Sequence, residues 1–407
     1  MIEWSGTELL VRDSVREFVN EQIRPRIDEL ERGELPPYEI IRKLFSTFGL
    51  DAMARDSFGK AIESYPDGAQ PLGGRSRCGG GLFDQEAMAM LAFSEISKVS
   101  MGMTAAIGVS IGLTAQTIMC RGTVEQRRRW ALDLLTFEKI GAWALTEPDA
   151  GSDAFGGMST SARPVDGGYV LNGRKTLITN GPYADTVVVY AKLDDGSVAN
   201  PRDRPVLTFV LDADMPGFTR SAPMRMMGMH SSPTGELRFT DVYLEADRLL
   251  AGPPGSDGRD SARVSYTFER VAVAAMALGI IEECLRLSLE HAKARELWGQ
   301  KISALQLVQL KLATMEVARL NVRNLLFRAI ELKRAGQRVS LAEASAIKLY
   351  SSQAATEVAN EAVQLFGGHG YLVEYRVEQL ARDARSLMIY AGSNELQVGQ
   401  IARGLLR

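Results

Sequence analysis

The sequence is poor in the residues that build disulfide frameworks and metal centres. Its three cysteines, Cys78, Cys120 and Cys284, are far apart and odd in number, which fits neither a disulfide framework nor a zinc site. Three histidines, His230, His291 and His369, are too few for a histidine-rich metal centre, so no metal is expected. No sign of charge dominates: 47 basic and 50 acidic side chains leave a net charge of -3, which gives no electrostatic case for nucleic acid or an anionic membrane. No uninterrupted apolar run reaches the ~18 residues of a membrane span. The most apolar stretch, Val271 to Ile281, stops at Glu282. The chain opens on an amphipathic helix pattern around Glu8 to Asp13, without the basic start and apolar region of a secretion signal. These absences predict a soluble, cytoplasmic protein in a reducing compartment, with no membrane insertion.

What is present is a large apolar fraction, 45% of 407 residues, enough for two or three domains with a sizeable core. Residues 7 to about 138 read mostly as helix. Val15, Phe18, Val19 and Ile23 are spaced for one buried face, and Pro36-Pro37 breaks the pattern before a helix resumes near Tyr38. Residues 59–83 hold Pro66, Pro71 and seven glycines and lose all periodicity, which predicts a mobile loop. Helix returns at Asp84, and the small, Gly-dotted stretch from Met101 to Thr117 reads as a tightly packed core helix. From Ile140 the period changes to two. Tyr169–Asn172, Thr186–Tyr190, Val206–Leu211 and Glu236–Val242 read as strands of an all-β block ending near residue 248. Helical periodicity resumes near 261–295, 303–335 and 341–366. A last helix begins near Asn394, with Leu396, Ile401 and Leu405 as its expected buried side. No internal repeat is visible.

One stretch draws the chemistry together: Trp143-Ala144-Leu145-Thr146-Glu147-Pro148-Asp149-Ala150-Gly151-Ser152-Asp153. It opens like the end of a strand and breaks into turn residues. Exposed N–H groups and hydroxyls beside an apolar strand suit a flat ring with polar edges, although an ordinary strand-to-loop exit has the same composition. The eleven residues resemble the flavin-contacting signature of the acyl-CoA dehydrogenases. Four further stretches match that family in order. They are Lys175 to Gly181, Arg295-Glu296-Leu297-Trp298-Gly299 with Gln306, Gln364 to Gly370, and Arg382-Asp383-Ala384-Arg385 leading into Ile389-Tyr390-Ala391-Gly392-Ser393-Asn394. Any one is weak; five in order over nearly the whole chain are specific.

The resemblance implies an α+β multidomain fold: an N-terminal helical domain (1–138), a central β-barrel-like domain (139–250) and a C-terminal four-helix-bundle domain (251–407). Against the family, residues 59–83 look like an insertion of about twenty residues, a length at which a loop is functional or disordered. It also implies FAD, held non-covalently, an acyl-CoA substrate, a homotetramer and an electron-transferring flavoprotein as acceptor. Trp143, Leu145 (through its backbone), Thr146, Gly151 and Ser152 would approach the flavin, with Ser152 also reaching the acyl-CoA. Thr179 would bond near N5. Leu177 stands where the family usually has tryptophan, keeping an apolar wall without the aromatic face. Arg295, Trp298, Gln306, Gln364, Gly367 and Gly368 resemble the segments that hold the adenine and pyrophosphate of a neighbouring subunit's flavin, where an arginine fork and glycine amides suit phosphate. Ser393 and Glu395 complete the cofactor set. Where the family has an arginine, this chain has His230, expected to be near neutral at pH 7 and so to lose a constant charge.

The implied reaction is α,β-desaturation of an acyl thioester: a base takes the α-proton while the β-hydrogen leaves as hydride. The carboxylate that most of the family carries is replaced here by Ala391, which cannot accept a proton. Isovaleryl- and long-chain-type relatives carry it on another helix, immediately before an arginine. That position reads Glu269-Arg270 here, so Glu269 is the expected base. Arg270, Ala391 and Gly392 would face the substrate, the Ala391 N–H polarising the thioester carbonyl. Three other roles use the same scaffold: a non-catalytic subunit of a hetero-oligomer, oxidation of a carrier-protein-bound acyl group, and a flavin monooxygenase.

Overall fold

The computed structural model describes residues 4–63, 86–251, 257–337 and 339–406. The N-terminal part is helical: α1 (Gly6–Phe18), α2 (Ile27–Glu31), α3 (Tyr38–Thr47), α4 (Leu50–Glu63), α5 (Glu86–Ser97), α6 (Met101–Ile107), α7 (Gln116–Arg121) and α8 (Val124–Leu135). Sequence punctuation fixes several ends. Ser5 with Glu8, and Thr123 with Gln126, form capping boxes that satisfy orphan amides at the starts of α1 and α8. Val15, Phe18, Val19 and Ile23 are all buried, as their spacing predicts. Gly59 to Glu63 belong to α4 rather than to a loop, a correction to the expected start of the insertion; residues 64–83 lie outside the described residues.

Between α6 and α7 the chain winds as a π-helix, Gly108–Ala115. The continuous stretch Met101–Arg121 is long and apolar enough to cross a membrane, yet most of it is buried against protein, which marks a core helix. Its winding places Ser110 and Gly112 on two different neighbours. Ser110 Oγ accepts from the amide of Gly141 at 2.9 Å, and Gly112 lies under the ring of Phe268, where any Cβ would collide at 2.9 Å.

The middle of the chain forms one seven-stranded sheet: β1 (Gly141–Ala144), β2 (Ser161–Val165), β3 (Gly168–Thr179), β4 (Thr186–Leu193), β5 (Val206–Asp212), β6 (Phe218–Arg220) and β7 (Thr234–Glu245). Strand order is β1-β4-β2-β3-β7-β6, with β5 antiparallel along β4. β4 is central and buried on both faces. Val188 and Tyr190 face the helical core, while Val187, Val189 and Ala191 face the sheet's own core.

The C-terminal part contains α9 (Gly258–Ala294), a hairpin of β8 (Glu296–Leu297) and β9 (Gln300–Lys301), α10 (Gln306–Arg334), α11 (Leu341–Phe366), α12 (Arg376–Ser386) and α13 (Asn394–Leu405). α9, 37 residues long, packs against α5, α10 and α11. α13 corrects the expected apolar face. Its buried residues are Asn394 and Gln397, whereas Leu396 and Leu405 are exposed and Ile401 is only partly buried. The two polar side chains turn inward because Asn394 Oδ1 accepts from Lys348 and Ser352 on α11, while Gln397 donates to the carbonyls of the turn that precedes the helix.

Candidate active site

β1 and β3 bring the first two motifs side by side. After Ala144 the chain leaves the sheet. The Leu145 carbonyl accepts from Lys175 Nζ at 3.0 Å, and the Thr146 carbonyl accepts from the Thr176 amide at 3.0 Å. The next residue, Glu147, is buried. Its carboxylate accepts from Lys175 Nζ at 2.8 Å, from the Ser159 amide and hydroxyl at 2.6 Å each, and from the Thr160 amide at 3.0 Å. Burial alone would raise the Glu147 pKa; the Lys175 charge and these donors outweigh it and hold it at about 2. Burial brings Lys175 down to about 8 despite Glu147, so both are charged at neutral pH. The ion pair fixes the loop that carries Gly151 and Ser152, both exposed. Its one local signal is a lysine set among the apolar residues of a strand.

Past Lys175 the pairing of β3 with β7 slips, and Leu177 takes φ 55°. This bulge turns Leu177 out of the sheet, 54% exposed, and leaves Thr179 partly buried opposite Thr234. Asn180, at φ 64°, ties the bulge inward: its Nδ2 donates to the carbonyls of Ala106 and Gly141, each at 2.9 Å. Trp143 meets Tyr190 edge to face at 5.1 Å, and its indole N–H is buried with no acceptor among the described residues.

The π-helix links this strand end to α9, where Glu269 lies one residue beyond Phe268. Glu269 is partly exposed, and no group among the described residues hydrogen-bonds its carboxylate. Burial pushes its pKa up to about 7, while Arg270 and Lys348 oppose that rise. Arg270 is buried, with Nη1 donating to Ser345 Oγ at 3.0 Å and Nε without a partner among the described residues. The 390–394 segment closes on the same place. The Glu269 charge acts on Tyr390, and Lys348 joins α11 to Gly392 and Asn394. Ala391 and Gly392 both have left-handed backbones, φ 56° and 79°. Gln397 Nε2 holds the carbonyl of Ala391 at 3.1 Å and that of Gly392 at 2.7 Å, while neither residue's amide donates to any group among the described residues. Ser393 caps α13 without a side-chain bond to it, and Glu395 is exposed in its first turn. Sequence reasoning missed Lys348, Asn394 and Gln397. The available signal was a lysine among the small and apolar residues of α11.

Arg295, Trp298, Gln306, Gln364, Gly367 and Gly368 lie elsewhere, at the other end of α9. His291 stacks on Phe366 at 4.1 Å and feels the charges of Arg295 and His369, so the hairpin and the end of α11 form one cluster. All six are exposed, Trp298 to 85%. At 1.5 Å per residue, the end of α9 is about 37 Å from Glu269 along the helix.

His230 overturns its expected neutrality. Its Nδ1 lies 2.8 Å from the Glu31 carbonyl and 3.4 Å from that residue's carboxylate, and its Nε2 lies 2.9 Å from the Met226 carbonyl. Two carbonyl acceptors require both ring nitrogens to donate. Glu31 and these bonds raise the pKa to about 9 against the cost of burial, so the position keeps a positive charge at pH 7.

The residues at the strand end fit a flavin. An unpaired buried indole N–H, an outward apolar Leu177 and partly exposed threonines at 146 and 179 suit an apolar ring with polar edges. Comparison with known proteins agrees. Three family descriptions cover the chain: acyl-CoA dehydrogenase N-terminal domain over residues 75–138, middle domain over 142–242 and C-terminal domain over 256–406. The chain is 33% identical to an acyl-CoA dehydrogenase of Bacillus subtilis, covering 98% of each. It aligns with the structure of butyryl-CoA dehydrogenase from Megasphaera elsdenii at a TM-score of 0.85 and 31% identity, over the full length of both. It aligns with the prolyl acyl carrier protein oxidase AnaB at a TM-score of 0.84 and 28% identity, covering 99% of this chain and 100% of that one. With the fold, the strand-end geometry and these matches together, the chain belongs to the acyl-CoA dehydrogenase family and is a flavin-dependent oxidoreductase with FAD as its cofactor.

Proposed function

We propose that the protein catalyses α,β-dehydrogenation of an acyl-CoA thioester to the trans-2-enoyl-CoA, with Glu269 as the base. The observation that carries this is an unbonded Glu269 carboxylate whose charge reaches Tyr390 and Lys348, the residues beside and beneath the Ala391-Gly392 turn, whose amides are free among the described residues. An α-proton next to a thioester is removed only if negative charge on the carbonyl oxygen is stabilised as it forms. The Ala391 N–H supplies a donor for that oxygen, and replacing a glutamate side chain by a methyl group leaves it intact. A base whose pKa lies near 7 is matched to work at neutral pH, since it is substantially ionised yet still basic. FAD, when bound, supplies the acceptor for the β-hydrogen as hydride. Trp143, Thr146, Leu177 and Thr179 would hold its ring.

The distant exposed cluster at Arg295 and Gly367-Gly368 supports a homotetramer in which it grips a neighbour's cofactor. We assign the reducing equivalents to an electron-transferring flavoprotein. We place the protein in the cytoplasm, a reading with which the buried, reduced Cys284 agrees. A carrier-bound acyl group is the second reading, favoured by the likeness to the carrier protein oxidase.

The test is anaerobic mixing of the holoenzyme with acyl-CoAs of graded length and branching. The expected result is loss of the oxidised flavin spectrum and formation of the enoyl product in the parent, and neither in Glu269→Gln. Glu269→Gln reducing its flavin at the parent rate would remove Glu269 as the base.

A further inference from the structure

Among the described residues two lysines are wholly buried, Lys175 and Lys348. Lys175 has Glu147 as its counter-ion. Lys348 has no carboxylate within ion-pair distance among the described residues. Its Nζ donates instead to the Gly392 carbonyl and to Asn394 Oδ1, both at 2.9 Å. Ser352 Oγ shares that Asn394 oxygen at 3.1 Å. A buried ammonium is costly to desolvate, and a neutral amide could make such bonds without that cost. The charge is therefore the feature to explain.

Charged and titratable groups face Lys348 from two sides: Glu269 and Arg270 on α9, and Glu395 on α13. Tyr390, beside the turn, feels Glu269. Burial and Arg270 disfavour the Lys348 charge, while Glu269 and Glu395 favour it. The turn it holds is strained: a left-handed conformation at an alanine costs on the order of 1 kcal/mol and persists only when its surroundings enforce it. Lys348 and Gln397 enforce it by tying down the carbonyls of 391 and 392, which leaves the amides free.

We propose that Lys348 is a positioning residue for α-proton abstraction: its ammonium, bonded to Gly392 and Asn394, locks the 391–394 turn so that the Ala391 amide faces the substrate carbonyl. This rests on the dehydrogenation reading; the same ammonium also favours the ionised form of Glu269, an electrostatic role that needs no substrate to be read.

The experiment measures both. Infrared difference spectra of the FAD-loaded protein against pH follow the Glu269 carboxyl band, identified by its loss in Glu269→Gln. No substrate is needed. In Lys348→Met the titration midpoint should move upward by about one pH unit, as expected when an opposite charge is removed nearby. Lys348→Arg should leave it near the parent value. Lys348→Gln, which keeps a donor for the Gly392 carbonyl, should move it as Lys348→Met does and serves if the methionine variant does not fold. Flavin reduction by butyryl-CoA and isovaleryl-CoA should fall about tenfold or more in Lys348→Met, as for loss of an aimed donor. Its acid limb should shift with the infrared midpoint. Gln397→Ala, which loosens the turn without removing charge, should slow reduction and leave the midpoint in place. An unmoved midpoint in both neutral variants overturns the electrostatic role. Parent rates in both overturn the positioning role. If Glu269→Gln still turns over while the Lys348 variants shift the midpoint, the dehydrogenation reading fails and the charge coupling stands.

Discussion

Glu147 and Lys175, 28 positions apart in sequence, meet at 2.8 Å with both side chains buried. They join the loop after β1 to the middle of β3, the two segments expected to line the flavin ring. Removing the cation leaves a buried carboxylate with fewer donors. Lys175→Met should therefore cost about 3–5 kcal/mol, read as a lower thermal midpoint of the apoprotein, and should weaken FAD retention. The double variant with Glu147→Gln should recover part of the loss. Because the Glu147 pKa is lowered from 4.5 to about 2, its contribution is complete above 4.5 and disappears as pH falls toward 2. Acid unfolding that is unchanged in the double variant would exclude this pair as its source.

Glu269 has the opposite sign. Its pKa is raised from 4.5 to about 7, so between those values the folded state holds a proton that the unfolded state has lost. Stability falls across that window, and the cost persists above it. Glu269→Gln should accordingly melt higher than the parent at pH 8, while losing ~10²–10⁴-fold in flavin reduction. The parent's rate should rise with pH through about 7. A variant that is both slower and less stable at pH 8 would assign Glu269 a structural role instead.

His230 links the loop before β7 to the end of α2 as an imidazolium. Its pKa is raised from 6.5 to about 9, so its contribution is full below 6.5 and is lost as pH rises through 9. His230→Gln should flatten the alkaline decline in thermal midpoint and leave the value at pH 10 nearly unchanged. A parent midpoint that does not decline between pH 6.5 and 9 would contradict the charge assignment.

Assembly gives the last expectation. α10 carries Leu307, Leu310 and Val317 on one stripe, exposed to 75%, 62% and 55%. If the Arg295 cluster grips a cofactor as proposed, its distance from Glu269 assigns that cofactor to a neighbouring chain. Light scattering should find a tetramer. Leu310→Glu should lower its mass and its flavin content together, and Arg295→Ala should release FAD without dissociation. A monomer that keeps its full FAD would defeat this reading.

The helix–sheet–helix order follows from local signals alone, the apolar periods of 3.6 and 2 and the capping boxes at Ser5, Thr123 and Ser340. The resemblance of its motifs also singled out Trp143, Thr146, Glu269 and Ala391 as candidates, since a motif is written in consecutive residues. Tertiary structure decided what depends on residues far apart. Glu269 lies amid burial that raises its pKa and two cations that lower it, and only the packing of α9 on α11 decides that burial prevails. Lys348 looks like any helix lysine until Gly392 and Asn394 fold over it. The inner face of α13 defied its apolar pattern because Gln397 holds a strained turn and Asn394 accepts from the buried Lys348, and no periodicity encodes either requirement. His230 became charged for the same reason: its acceptors come from Glu31, 199 positions away.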